Sequence, residues 1–157
     1  MIIALISFLA GAALTFAFAP FNLYGLSFLC PSALLYIWLR STPRQAAYRG
    51  LLFGIGFFST GIYWVFISIY HFGNAAIPLA LFISFLVILL MALYPFAQGY
   101  LFRKFFQNKP LQIQCLIVFP ATWALFELLR AIIWSGFPWI SLGYSQLNTP
   151  LIGYGPI

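Results

Sequence analysis

PLALFISFLVILLMALYPFAQGYLF, residues 78–102, runs from a turn to a basic cluster without one charged side chain. A helix rises about 1.5 Å per residue, so roughly 20 apolar residues cross the hydrocarbon core of a bilayer. This stretch is long enough to do so alone, and Pro95 and Gly99 are expected to kink it. The rest of the chain shares its character. Of 157 residues, 64% are hydrophobic and 5% charged, against about 45–50% apolar and about 25% charged in soluble domains. So few charges cannot cover an aqueous surface; lipid must solvate this chain.

Working outward, four more apolar runs cover about 2–19, 21–39, 50–70 and 113–134, and a sixth begins near 150. The first carries a small-x-small Ala17-Phe18-Ala19 but lacks a basic amino-terminal region, and another apolar run follows almost at once. It reads as a retained span rather than a signal peptide. The expected fold is an all-α membrane protein, a bundle of five transmembrane helices with the start of a sixth, forming one domain over 1–157. No internal repeat or inverted pair of broken helices is visible.

Charge orients the bundle. Arg40, Arg44, Arg49, Arg103, Lys104 and Lys109 fall in two connections on one side, whereas 71–77 and 135–150 contain no lysine or arginine. By the positive-inside rule the basic connections and the amino terminus are cytoplasmic, and 135–150 lies outside. The net charge of +6 sits in short loops beside anionic lipid and is not a nucleic-acid signature. Trp38 and Tyr100 at the inner ends, and Tyr70 and Trp134 at the outer ends, read as interfacial anchors.

The chemical inventory is short: one acid, Glu127, no aspartate, and one histidine, His71. Catalysis needs a base and an electrostatic stabiliser within reach of one reacting atom. These residues offer no such set, no metal site and no cofactor motif, so no catalytic residue is assigned. His71 reads as an interfacial polar residue. Cys30 and Cys115 have no CxxC or metal spacing and read as small hydrophobes. Their depths differ too much for the roughly 4.4–6.8 Å between Cα atoms that a disulfide requires. Gly50, Gly54, Gly56 and Gly61 suit close helix packing.

Two features stand apart. Glu127 and Arg130, three residues apart, share a helix face, and charge within the bilayer is costly. They form either an ion pair that neutralises itself and holds helices together, with Arg130 snorkelling outward, or a polar lining of a cavity open to the outside. The second feature is SGFPWISLGYSQLNTP, Ser135 to Pro150, whose Phe137, Trp139 and Tyr144 are unusual in a solvated loop. It is either a loop half-sunk in the interface or a lipid-handling edge where an acyl chain could leave the bilayer.

FAFAPFNLYGLSFLCPSALLYIWL at 16–39, TGIYWVFISIYHFG at 60–73, FPATWALFELLR at 119–130 and GFPWISLGYSQLNTPLIGYGPI at 136–157, in this order, resemble the amino-terminal membrane region of apolipoprotein N-acyltransferases. The resemblance covers essentially the whole chain. It implies a multi-pass enzyme of the bacterial inner membrane with about eight spans and a periplasmic nitrilase-like domain. That family moves an acyl chain from phospholipid, through a cysteine thioester, to the amino-terminal diacylglyceryl-cysteine of an apolipoprotein. Its Glu-Lys-Cys set has no counterpart in these residues, so the 157 residues alone are expected to be inactive. Trp139 matches a tryptophan the family uses near its active site, and Glu127 and Arg130 match its polar pair in the fifth span. Tyr63, before Trp64, departs from the usual small or polar residue. The competing expectations are a stand-alone membrane module that binds lipid or a partner, and a small transporter. Only Glu127 and Arg130 would serve a transporter's pathway.

Overall fold

The computed structural model describes residues 2–133 and 136–154, and all regular structure among them is helical. Helix α1 (Ile2–Leu14) ends in a 3-10 turn, Thr15–Ala17; α2 spans Leu26–Leu39, α3 Pro43–Gly61, α4 Trp64–Phe72, α5 Ile77–Phe106 and α6 Leu111–Ile132. Two short 3-10 turns follow, Leu142–Gln146 and Pro150–Tyr154. Trp134, expected as an outer anchor, and residues 155–157 of the expected sixth span lie outside the described residues.

The element bounds correct the sequence reading in several places. The third helix begins at Pro43 rather than near 50, inside the stretch read as a polar loop. Thr42 is the reason: its hydroxyl accepts from the Gln45 N–H and the Gln45 side chain accepts from the Thr42 N–H. Pro43 occupies the first helical position, where no N–H is needed. Thr42→Ala is expected to cost about 1 kcal/mol of stability, read as a small fall in the melting temperature of the purified protein.

The same helix does not run straight to 70. Thr60 turns its hydroxyl back toward the carbonyls of Gly56 and Phe57, Gly61 favours helix poorly, and α4 leaves at 51° to α3. Helix α6 widens into a π turn at Gln114–Val118, just before Pro120, whose missing N–H would otherwise leave a carbonyl of the preceding turn unpaired.

Helices α5 and α6 are each long and apolar enough to cross a membrane, and α3 with α4 would make a third crossing as a bent pair. Only 17% of the most apolar window of α5 is buried, and Leu79, Phe82 and Phe85 are more than half exposed. Apolar surface of that extent is lipid-facing rather than water-facing. Helices α1 and α2 are apolar but shorter than the runs 2–19 and 21–39 suggested, because the chain turns at 18–25.

Helix α3 is central, packed between α1 and α5. Glycines make both seams. A Cβ on Gly11 would lie 1.9 Å from the Phe53 carbonyl oxygen, and one on Gly56 would lie 2.1 Å from that of Phe8. Toward α5, a Cβ on Gly50 would sit 2.2 Å from the Pro95 carbonyl oxygen, and one on Gly99 would sit 2.6 Å from that of Ala46. Gly99 therefore serves backbone approach, and α5 is continuous through Pro95.

Trp38, read as an interfacial anchor, is fully buried. It packs against Phe102 and Phe119, each ring 5.8 Å away. Burial of that aromatic surface outweighs an interfacial position. Tyr100 keeps its terminal position, with the Lys104 ammonium 5.3 Å from its ring, and Tyr70 stacks on Phe66. Nearby, Arg103 ties the two connections of the basic end together. It donates to the Ser41 carbonyl at 2.9 Å and to Gln114 Oε1 at 3.4 Å, and Gln114 donates to the Lys109 carbonyl at 2.7 Å. Cys30 and Cys115 are both unpaired thiols, Cys30 buried in the core.

Candidate functional site

At the end opposite the basic connections, the chain from 136 to 149 folds back over the helix ends. Glu127 and Arg130 hold it there. Glu127 Oε1 accepts from the Leu142 N–H at 2.7 Å. The Arg130 guanidinium donates to the Phe137 carbonyl at 3.2 Å, to the Trp139 carbonyl, and to Ser141 Oγ at 3.2 Å. The Phe137 N–H returns a bond to the Arg130 carbonyl at 2.9 Å. The two side chains do not neutralise each other through a direct bond; each is satisfied by loop groups. Nor does Arg130 snorkel: it is 3% exposed, with its guanidinium 5.4 Å from the Phe58 ring. The cavity lined by both side chains is about 40 Å³, room for one or two waters, and Glu127 also borders a cleft of about 360 Å³ between α2 and α6.

Further ties fix the far end of the loop. Gln146 Nε2 donates to Ser27 Oγ at 2.7 Å, and Asn148 Nδ2 to Asn22 Oδ1 at 3.1 Å. Between these anchors Ile140 takes φ 50°, a left-handed conformation that a β-branched residue adopts only under constraint. Its side chain fills the space that Gly61 leaves, where a Cβ would meet Ile140 Cδ1 at 2.5 Å. The helix break and the loop are thus fitted to each other.

The result is a groove of about 710 Å³. Its walls come from the end of α1 and the turn after it (Thr15, Phe18, Pro20, Phe21), from the α3–α4 break (Thr60, Tyr63, Trp64) and from the loop (Trp139, Ile140, Tyr144, Leu147). Trp64 and Trp139 face each other with ring centroids 5.1 Å apart. Tyr63 and Trp139 remain half or more exposed, and Tyr144 nearly half. Among the described residues, no acid, base or histidine lines the groove. Its lining is mainly apolar and aromatic, with hydroxyls as its side-chain polar groups among the described residues.

Of the residues singled out from sequence, Trp139 and Tyr144 line the groove, while Glu127 and Arg130 act beneath it as anchors. Phe137 instead turns inward and packs on the hydrophobic core. Tyr63, Trp64, Phe21 and Ile140 were missed. The break after Gly61, followed at once by two large aromatic residues, was the available signal. Among the described residues, no three His, Cys, Asp or Glu side chains gather as a metal would need.

The Apolipoprotein N-acyltransferase N-terminal domain family matches residues 10–157. The chain belongs to this family. It is 49% identical over 152 residues to an apolipoprotein N-acyltransferase of Coxiella burnetii, covering 97% of this chain and 31% of that protein. A Methylococcus capsulatus apolipoprotein N-acyltransferase is 39% identical, covering 98% of this chain and 30% of the relative. One from Vibrio parahaemolyticus is 38% identical, covering 94% and 29%. The chain therefore spans about 30% of the length of these N-acyltransferases, and the groove lies inside the matched region.

Proposed function

We propose that these residues are the membrane module of an apolipoprotein N-acyltransferase, and that the groove receives acyl chain from the bilayer at the periplasmic face. The observation that carries this is the aromatic, uncharged groove at the helix ends, closed on one side by a loop tethered through Glu127 and Arg130. The acyl donor is a membrane phospholipid and the acceptor a diacylglyceryl apolipoprotein, following the family. Acyl transfer itself depends on groups outside the 157 residues, since the groove presents no nucleophile paired with a base.

The module crosses the inner membrane five times in this reading. Although α1 and α2 are short, both run the full distance between the basic end and the groove. Ile2 lies beside Arg44 while Thr15 Oγ1 meets Thr60 Oγ1; Ser27 meets Gln146 while Ser41 meets Arg103. Six of the seven basic residues then share the cytoplasmic end, as the positive-inside rule favours.

In a full-length family member carrying this module, Trp139→Ala is expected to lower turnover several-fold with a diacylglyceryl peptide and phospholipid donor. The amount of protein in the membrane fraction should not change, and Trp139→Phe should retain most activity because it keeps an aromatic wall facing Trp64. Unchanged turnover in the alanine variant would remove the groove from the reaction.

A further inference from the structure

The basic end carries a second pair of clefts, far from the aromatic groove. One of about 880 Å³ lies between α1 and α3, with Ile2 and Ile3 on one wall and Arg44, Tyr48 and Arg49 on the other. The other, about 330 Å³, lies between α1 and α2, with Ile3 and Ile6 facing Tyr36 and Arg40. Ile3 and Arg49 belong to both, so the clefts meet along one ridge.

The arginines here are placed but not neutralised. Arg49 donates to Ser41 Oγ and to the Ile37 carbonyl at 3.5 Å, which fixes its guanidinium with donors to spare. The Arg40 guanidinium lies 4.3 Å from the centroid of the Tyr36 ring. Arg40 and Arg44 are exposed. The only carboxylate side chain among the 157 residues, Glu127, is engaged with Leu142 at the opposite end. Three fixed or rim cations beside isoleucine walls call for one molecule that is anionic at its head and apolar along its tail.

We infer that an anionic phospholipid of the inner leaflet binds across this ridge. Its phosphate sits among Arg40, Arg44 and Arg49, and its acyl chains lie on the Ile2–Ile3–Ile6 face of α1. Guanidinium groups bind phosphate oxygens in a fork that a lone ammonium cannot match. A zwitterionic lipid would bring its own ammonium to an already cationic rim and gain less. This site is separate from the groove, so its failure would leave the acyl-chain reading standing.

The test uses the full-length, delipidated protein in neutral detergent, with retained lipid read by native mass spectrometry. Phosphatidylglycerol should bind at least about tenfold more tightly than phosphatidylethanolamine of the same chains, because each arginine near the surface favours an anionic headgroup. R40Q/R44Q should abolish that preference. Because loss of charge could also disturb topology, Ile3→Trp supplies an independent arm: it fills the wall common to both clefts with every arginine kept, and should weaken phosphatidylglycerol binding. Equal affinity for the two lipids would overturn the inference, as would unchanged binding in both variants. Displacement of phosphatidylglycerol by inorganic phosphate at equal concentration would also overturn it, by showing a simple anion site.

Discussion

Replacing Arg130 by methionine is expected to leave the helices assembled while releasing the loop from 137 to 142, with acyl transfer falling at least about tenfold in a full-length family member. Methionine preserves much of the apolar stem packed near Phe58 but removes the donors to the Phe137 and Trp139 carbonyls and to Ser141. Hydrogen bonds to a charged group contribute about 1.5–3 kcal/mol each, and 1.4 kcal/mol is already tenfold in an equilibrium. The carbonyls lose a charged partner, and the constrained Ile140 loses the frame that holds it at φ 50°. Arg130→Lys should not restore activity, because one ammonium cannot span three acceptors. Glu127→Gln should be milder, since an amide oxygen can still accept from the Leu142 N–H. Limited proteolysis of the loop separates this account from general unfolding: cleavage within 137–142 should accelerate while the helical signal is unchanged.

A large stability effect is expected at the α3–α5 seam. Gly50→Ala places a Cβ 2.2 Å from the Pro95 carbonyl oxygen and 3.2 Å from Trp38 Cζ2, so two backbones must separate. Overpacking of this kind costs about 1–3 kcal/mol and occasionally more, which corresponds to roughly 2–12 °C in melting temperature. Gly50→Val should prevent accumulation of folded protein. Gly25→Ala is the matched control, because a Cβ there meets nothing within 4 Å, and it should be neutral. A Gly50→Ala protein as stable as the parent would mean that α3 and α5 are not packed as described.

What was legible in the sequence was what a contiguous stretch decides. The span at 78–102 follows from its own composition, and the side of the basic residues follows from which connections contain them. The oddity of the 135–150 loop also shows locally, as aromatic residues among glycines and prolines. Trp38 was misread because an aromatic residue at a helix end looks the same whether it anchors in an interface or packs on Phe102 and Phe119, residues far along the chain. The partners of Arg130 were equally invisible, since two of them are backbone carbonyls and carry no sequence signature. Tyr63 looked like a departure from its family; the bend after Gly61 is what turns it and Trp64 into a groove wall.

The most direct test is photocrosslinking in the membrane with a phospholipid carrying a diazirine on its acyl chain, the modified residues being mapped by mass spectrometry. If the groove receives an acyl chain, adducts will concentrate on Tyr63, Trp64, Trp139 and Tyr144, and Arg130→Met will disperse them. Adducts confined to the outward face of α5, around Phe82 and Phe85, with none in the groove, would contradict the account.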